Sequence, residues 1–228
     1  MAPRIALAVT LLAAALPSFA DDRNPQPVQT ATTQRIDFAP GGLIRLNDSY
    51  GDLFVSAWDQ PQVELTVTKS LPLLGDSAHP ERARQRLEEV NVAAEKRSAT
   101  ELVVSTIRRK RAGRVMLKYE IRVPRTSRLA MHHGAGFVLV DGVTGNIEAT
   151  CRRGDIVLML PQDGQYGIDA KSKFGAVTSD FAGVTKLARY RMGERFSAEK
   201  PLPASRLYLR VGLGGIAIKP IPPAPSTP

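Results

Sequence analysis

With 228 residues and 43% hydrophobic side chains, the chain is long enough for one domain of moderate size or two small ones, with a sizeable buried core. Its formal charge of +9 favours anionic partners or surfaces. A single cysteine, Cys151, excludes an internal disulfide and any CxxC redox or zinc motif.

The first twenty residues read as a targeting segment. Arg4 supplies a positive charge, residues 5–16 form an uncharged and mostly apolar run, and Ser18-Phe19-Ala20 offers small residues ahead of Asp21-Asp22. That order predicts a secretory signal peptide cleaved near Ala20, and so a periplasmic or secreted location. The run is too short to span a bilayer, and no later run approaches that length, so no transmembrane segment is expected in the mature chain. Loss of Arg4 leaves a charge of +8. Residues 21–34 are polar, carry two prolines and lack an apolar period, which predicts a flexible leader. Residues 221–228 belong to a proline-rich tail that cannot supply ladder hydrogen bonds. The body between them, residues 35–220, is expected to be one domain.

Most of that body has strand character. Segments 44–46, 53–57, 63–68, 90–94, 102–107, 115–123, 138–140 and 156–160 are rich in β-branched and apolar residues. One helix is predicted to start at Pro80, with Asp76 and Ser77 as its cap region. Its apolar stripe is Ala83, Leu87 and Val90, and Arg84 and Glu88 form an i,i+4 pair. A turn at 98–100 joins two strands. Residues 108–114, RRKRAGR, have five positive side chains in seven and read as the tip of another hairpin.

Alignment on a glycine reveals five similar segments: IRLNDSYGDLFV (44–55), LAMHHGAGFVLV (129–140), IEATCRRGDIVL (147–158), IDAKSKFGAVTS (168–179) and LYLRVGLGGIAI (207–218). The shared glycines are Gly51, Gly136, Gly154, Gly175 and Gly214. Positions seven and five before the glycine, and two and four after it, are apolar in nineteen of twenty cases. The two inner positions are seven apart, so on one straight strand they would face opposite ways. To bury both, the chain must turn a corner between them, and glycine accepts the positive φ a corner needs. Each segment is therefore strand, corner, strand. Spacings of 18 and 21 residues between Gly136, Gly154 and Gly175 fit the rungs of an all-β β-helix or β-roll. An antiparallel β-sandwich or meander is the alternative. Residues 62–123 interrupt the repeat as an insertion or as flanking strands and helix.

Two stretches, GDLFVSAWDQPQVELTV (51–67) and YEIRVPRTSRLAMHHGAGFVLVDGVTGNIEATCRRGDIVLMLP (119–161), resemble the N-terminal part and the middle of the bacterial DUF4097 family, whose members are described as "putative adhesins". The resemblance covers most of residues 40–220. It implies a β-helix-like fold outside the cytoplasm, and it carries no catalytic residues. Residues 185–206, basic and aromatic, depart from the family pattern by separating the Gly175 and Gly214 copies.

No G-x-S-x-G, HExxH or Walker-type motif is present, so no catalytic, cofactor or metal residue is assigned. The neighbours His132 and His133 point to opposite faces of a strand and do not share a metal. Gly212-Leu213-Gly214-Gly215 lacks the downstream GK[ST] and helix of a phosphate loop and reads as a strand corner. The basic loop is the candidate anion-binding element: Arg108, Arg109, Lys110, Arg111 and Arg114, with Lys171, Lys173, Lys186, Arg189, Arg191 and Arg195 as an extension. Its partners would be phosphate or carboxylate groups of an envelope glycan or lipid. Nucleic acid is not expected, because aromatic residues do not interleave the loop. The leading expectation is thus an exported, non-enzymatic, adhesin-like binding or structural module. One alternative is a carbohydrate-active β-helix enzyme using an outer face with Glu148, Asp155, Asp163, Asp169, Arg152 and Arg153, where Glu148 and Asp169 would stack on adjacent rungs. Another is an accessory protein in envelope-stress signalling. Cys151 and Trp58 are expected to be structural, the latter as a core or corner plug.

Overall fold

The computed structural model describes residues 28–71, 80–109, 115–187, 192–201 and 203–221. Among these lie seventeen strands and one helix, arranged as two mixed sheets that share a single apolar core. Five rungs run through the middle, each giving one strand to each sheet. They are β2 (Leu43–Ser49) with β3 (Asp52–Trp58), β8 (Arg128–Ala135) with β9 (Val138–Asp141), and β10 (Ile147–Arg153) with β11 (Ile156–Leu160). The others are β12 (Tyr166–Phe174) with β13 (Val177–Ser179), and β16 (Ser205–Leu213) with β17 (Ile216–Pro220). Neighbouring rungs pair in parallel in the register of the sequence repeat. Ile44 meets Leu129, Leu129 meets Ile147, and Ile147 meets Leu207 in one sheet. Leu53 meets Val138, and Val138 meets Ile156, in the other. All nineteen apolar repeat positions are buried, and Ser179, the exception, is half-buried.

The corners are built as the spacing predicts. All five shared glycines have positive φ, from 94° at Gly51 to 148° at Gly175. Close approach is a second constraint. A Cβ on Gly136 would run into the carbonyl oxygen of Gly51, one on Gly154 into that of Gly136, one on Gly214 into that of Gly154, and one on Gly175 into that of Gly214. The corners are also laced by backbone hydrogen bonds, such as Gly136 N to Arg153 O (3.0 Å) and Gly154 N to Leu213 O (2.8 Å). Glycine is thus needed both for conformation and for contact between rungs.

The spatial order departs from the chain order. The last rung in sequence, β16–β17, sits between the third and fourth. Packing gives the reason. In the column five before the glycine, the spatial order runs Leu46, Met131, Ala149, Leu209, Ala170, so Leu209 fills the space between two alanines. Sequential stacking would have set Ala149 against Ala170. Alternating large and small side chains fill a core without voids.

A sixth rung lies inside the segment read as an insertion. Strands β6 (Glu101–Arg108) and β7 (Met116–Pro124) pair in parallel with β2 and β3, matching Leu102 to Ile44, Val104 to Leu46, Tyr119 to Leu53 and Ile121 to Val55. Val104 and Tyr119 are fifteen residues apart, where the other rungs have seven. Strands β6 and β7 lie in different sheets, so 108–114 is not the tip of a hairpin between paired strands. Its residues 110–114 lie outside the described residues.

Antiparallel strands cover both sheets at one end of the stack and one sheet at the other, where β13 is the edge of the second sheet. At the first, β4 (Gln62–Leu71) joins β7 to β1 (Val28–Asp37), and β5 (Val90–Ser98) borders β6. The helix α1 (Pro80–Glu88) lies against β1, β4 and β5, burying Ala83 and Leu87 as its stripe predicts, with Val90 beyond them also buried. Arg84 bonds Glu81 at 3.3 Å, not Glu88. Strand β1 corrects the reading of 21–34 as a leader throughout, since it begins at Val28. It is almost wholly exposed and is held by its ladder to β4, so it has no apolar period to read. At the second end, β14 (Val184–Leu187) and β15 (Glu194–Ala198) form a hairpin beside β12, with Phe196 buried and Tyr166 edge-on to Phe181 at 5.5 Å.

Candidate functional site

Strand alternation places one set of repeat columns in the core and the other on the outer faces. On the sheet that contains β8, β10, β16 and β12, the position four before the glycine holds His132, Thr150, Arg210 and Lys171, side by side in register. The next outward position holds Gly134, Arg152, Gly212 and Lys173. With Tyr50, Thr106 and Arg108 from the neighbouring rungs, these residues line a shallow groove of about 1020 Å³. Among the described residues, no aspartate or glutamate lines it.

The cations are held in different ways. Arg210 is fixed: its Nη2 lies 2.6 Å from Asp169 Oδ2, its Nη1 donates to the Asp169 and Leu209 carbonyls, and its guanidinium stacks 3.7 Å from the centre of the Tyr208 ring. Arg108 lies over the Tyr50 ring at 4.7 Å and Lys173 over Phe174 at 5.3 Å. Arg152 and Lys171 are exposed, with no carboxylate within ion-pair distance among the described residues. A stretch of wall with uncompensated cations attracts anions and favours carboxylate or phosphate groups that can accept from planar guanidinium donors.

Behind the groove the inward column is unusually polar. His133 and Ser49 are buried, and Nδ1 of the histidine lies 2.9 Å from the serine Oγ. Burial pushes the His133 pKa below the ordinary imidazole value, against the nearby Gly51 and Ala135 carbonyls, which favour the charged form. Cys151 is buried and free, and burial likewise pushes its thiol up, disfavouring the thiolate a nucleophile needs. The two histidines point to opposite faces, as the alternation requires, His132 being exposed.

The residues singled out in the sequence are dispersed. Arg108 stands at one end of the groove. Arg109 follows β6, its backbone N–H bonding the Glu89 carbonyl at 3.0 Å, and does not line the groove. Lys110, Arg111 and Arg114 lie outside the described residues, as do Arg189 and Arg191. Lys171 and Lys173 do line it, while Arg195 is spent on Asp169. Arg210 was not singled out. Its signal was present in the outward columns of the repeat, whose apolar columns alone reveal the core.

Glu148 and Asp169 do not stand on adjacent rungs. Tyr208 is paired with both, because β16 enters between β10 and β12. That insertion also keeps two like charges apart. Burial works to raise the Asp169 carboxyl, but hydrogen bonds from Arg210 and Arg195, reinforced by their charges, hold it below the usual carboxylate range. Asp155 serves its corner, accepting from Gly215 N at 2.6 Å. Trp58 closes the far turn of its rung through a 2.8 Å bond to the Gln62 carbonyl. No helix among the described residues is long and apolar enough to cross a membrane.

No family model and no curated protein matches the chain. Among solved structures it is similar to a "putative cell adhesion protein" from Clostridium sporogenes ATCC 15579, with 13% identity over 86% of this chain and 100% of that one, at a TM-score of 0.49. It is also similar to a "putative adhesin" from Bacteroides fragilis NCTC 9343, with 11% identity over 84% of this chain and 98% of that one, at a TM-score of 0.36.

Proposed function

We propose that the protein is an exported, non-enzymatic binding module of the bacterial envelope or cell surface, of the DUF4097 adhesin-like type, whose cationic groove takes anionic groups of an envelope glycan or lipid. The groove itself carries this reading: cations and imidazole from five rungs converge on one surface with no carboxylate in its wall among the described residues. The charge of the whole chain adds long-range attraction of the same sign. The signal-like N-terminus and the resemblance at 51–67 and 119–161 support export. The carbohydrate-active alternative asks for two neighbouring carboxylates, and at its strongest position Tyr208 intervenes and Asp169 is ion-paired twice.

Retention on heparin-type and lipopolysaccharide resins tests the reading. Wild-type protein is expected to bind both and to elute with salt, and the triple variant Arg152→Ser, Lys171→Ser, Lys173→Ser to elute at clearly lower salt. Equal elution of the two proteins would refute the groove as the binding surface. N-terminal sequencing of the exported protein should begin at Asp21.

A further inference from the structure

We infer that the groove holds one extended acidic polysaccharide chain, laid across the strands along the stack of rungs; this rests on the anion-binding reading above and names its ligand class. Its lining comes from six successive strands of one sheet, in the order β6, β2, β8, β10, β16, β12. Five steps of about 4.8 Å make a trough about 24 Å long. Charge is distributed along that length. Arg108 marks one end, Arg152 stands between the two glycines Gly134 and Gly212, and Arg210, Lys171 and Lys173 occupy the other end. A lone headgroup would engage one of these clusters and leave the others idle. A linear chain with repeated carboxylates or sulfates meets them all.

The wall chemistry selects among linear polyanions. A single-stranded nucleic acid needs bare aromatic faces for its bases. Here the Tyr50 ring lies under Arg108 and the Tyr208 ring beside the groove lies under Arg210. A membrane surface needs protruding apolar side chains, and none of the large exposed ones, such as Phe174, Leu187 or Leu213, lines the groove. What remains is a floor lowered by glycines, edged by Thr150 and guanidinium forks. That floor suits the hydroxyls and planar carboxylates of uronic acid chains.

The test is fluorescence anisotropy with purified protein and end-labelled oligogalacturonates of two, four, six and eight sugars. Affinity is expected to climb with length until the chain spans the groove, then level off. Arg152→Ser should weaken the longest oligomer about tenfold, the loss of one charge-assisted contact, and so flatten the climb of affinity from two sugars to eight. Arg152→Lys should restore part of the loss, which separates a lost contact from a damaged fold. Length-independent binding overturns the chain-long occupancy and leaves the anion reading standing. Tighter binding of phosphatidylglycerol vesicles or of oligo-dT of matched charge also overturns it, assigning the groove to lipid or to nucleic acid. If no anion binds, on resin or in solution, both readings fall together.

Discussion

The two outer faces of this molecule are made by the same rungs and look nothing alike. On one sheet, Phe54, Leu139, Val157 and Ala217 stand side by side, half-buried by one another. On the other, His132, Thr150, Arg210 and Lys171 form the equivalent row and carry charge. Inward residues are interchangeable from rung to rung because each does the same thing, which is to fill one layer of a shared core. Outward residues are bound by no such requirement. A repeat fold can therefore place a cationic row and an apolar row back to back without altering its interior, and the face whose composition departs furthest from a bland solvated sheet is where a ligand is to be sought.

Substitutions in the shared interior should damage both faces together. The largest effect is expected from Leu209→Ala, which leaves three small side chains in a row. Urea unfolding should show a loss of about 3–5 kcal/mol. Gly154→Ala comes next. It forces a side chain onto a φ of 126° and into the Gly136 carbonyl, and should lose about 2–3 kcal/mol. Gly41→Ala is its control: φ there is 75°, but the space around it is open, so a loss of about 1 kcal/mol is expected. The comparison separates backbone conformation from rung-to-rung contact.

Smaller effects should divide the faces. The Arg152, Lys171 and Lys173 triple serine variant should change stability by less than about 0.5 kcal/mol while eluting from the resins at clearly lower salt. Val157→Thr, on the opposite face, should leave retention unaltered. Acid should act from within. His133 has its pKa lowered in the fold, so its contribution to stability is present above the ordinary imidazole value of 6.5 and is lost as pH falls below it. Urea midpoints measured from pH 7.5 to pH 5 should decline, and His133→Gln should flatten that part of the decline. A slope unchanged by the substitution would mean that other groups carry it.

The repeat made the rung legible. Strand, glycine corner and four core columns could all be read, because every rung repeats the same burial and the same positive φ. Order in space was not, since columns of near-identical apolar residues do not say which rung lies beside which. The clue was in sizes rather than polarity: Ala149 and Ala170 both need a larger neighbour, and Leu209 supplies it. The sixth rung was hidden by its corner, where eight extra residues broke the spacing between Val104 and Tyr119. Strand β1 was hidden because hydrogen bonds hold it and burial does not. The groove was legible only in pieces. Lys171, Lys173, Arg152 and Arg108 could be named one at a time, but Arg210 joins Lys171 only through the insertion of β16.

That insertion also sets a timetable. A chain delivered N-terminus first can lay down its early rungs as they emerge. The places between β10 and β12 and between β11 and β13 must wait, because their occupants, β16 and β17, follow all the other strands in the chain. Until they arrive, β10 and β12 each lack their partner on that side, and the cationic surface exists only as two separated halves. The final strands act as a keystone, so any cut ahead of residue 205 should leave an open-edged intermediate and not merely a shorter stack. Completion of the fold and assembly of the cationic groove become one event, triggered by the last strands to reach the stack.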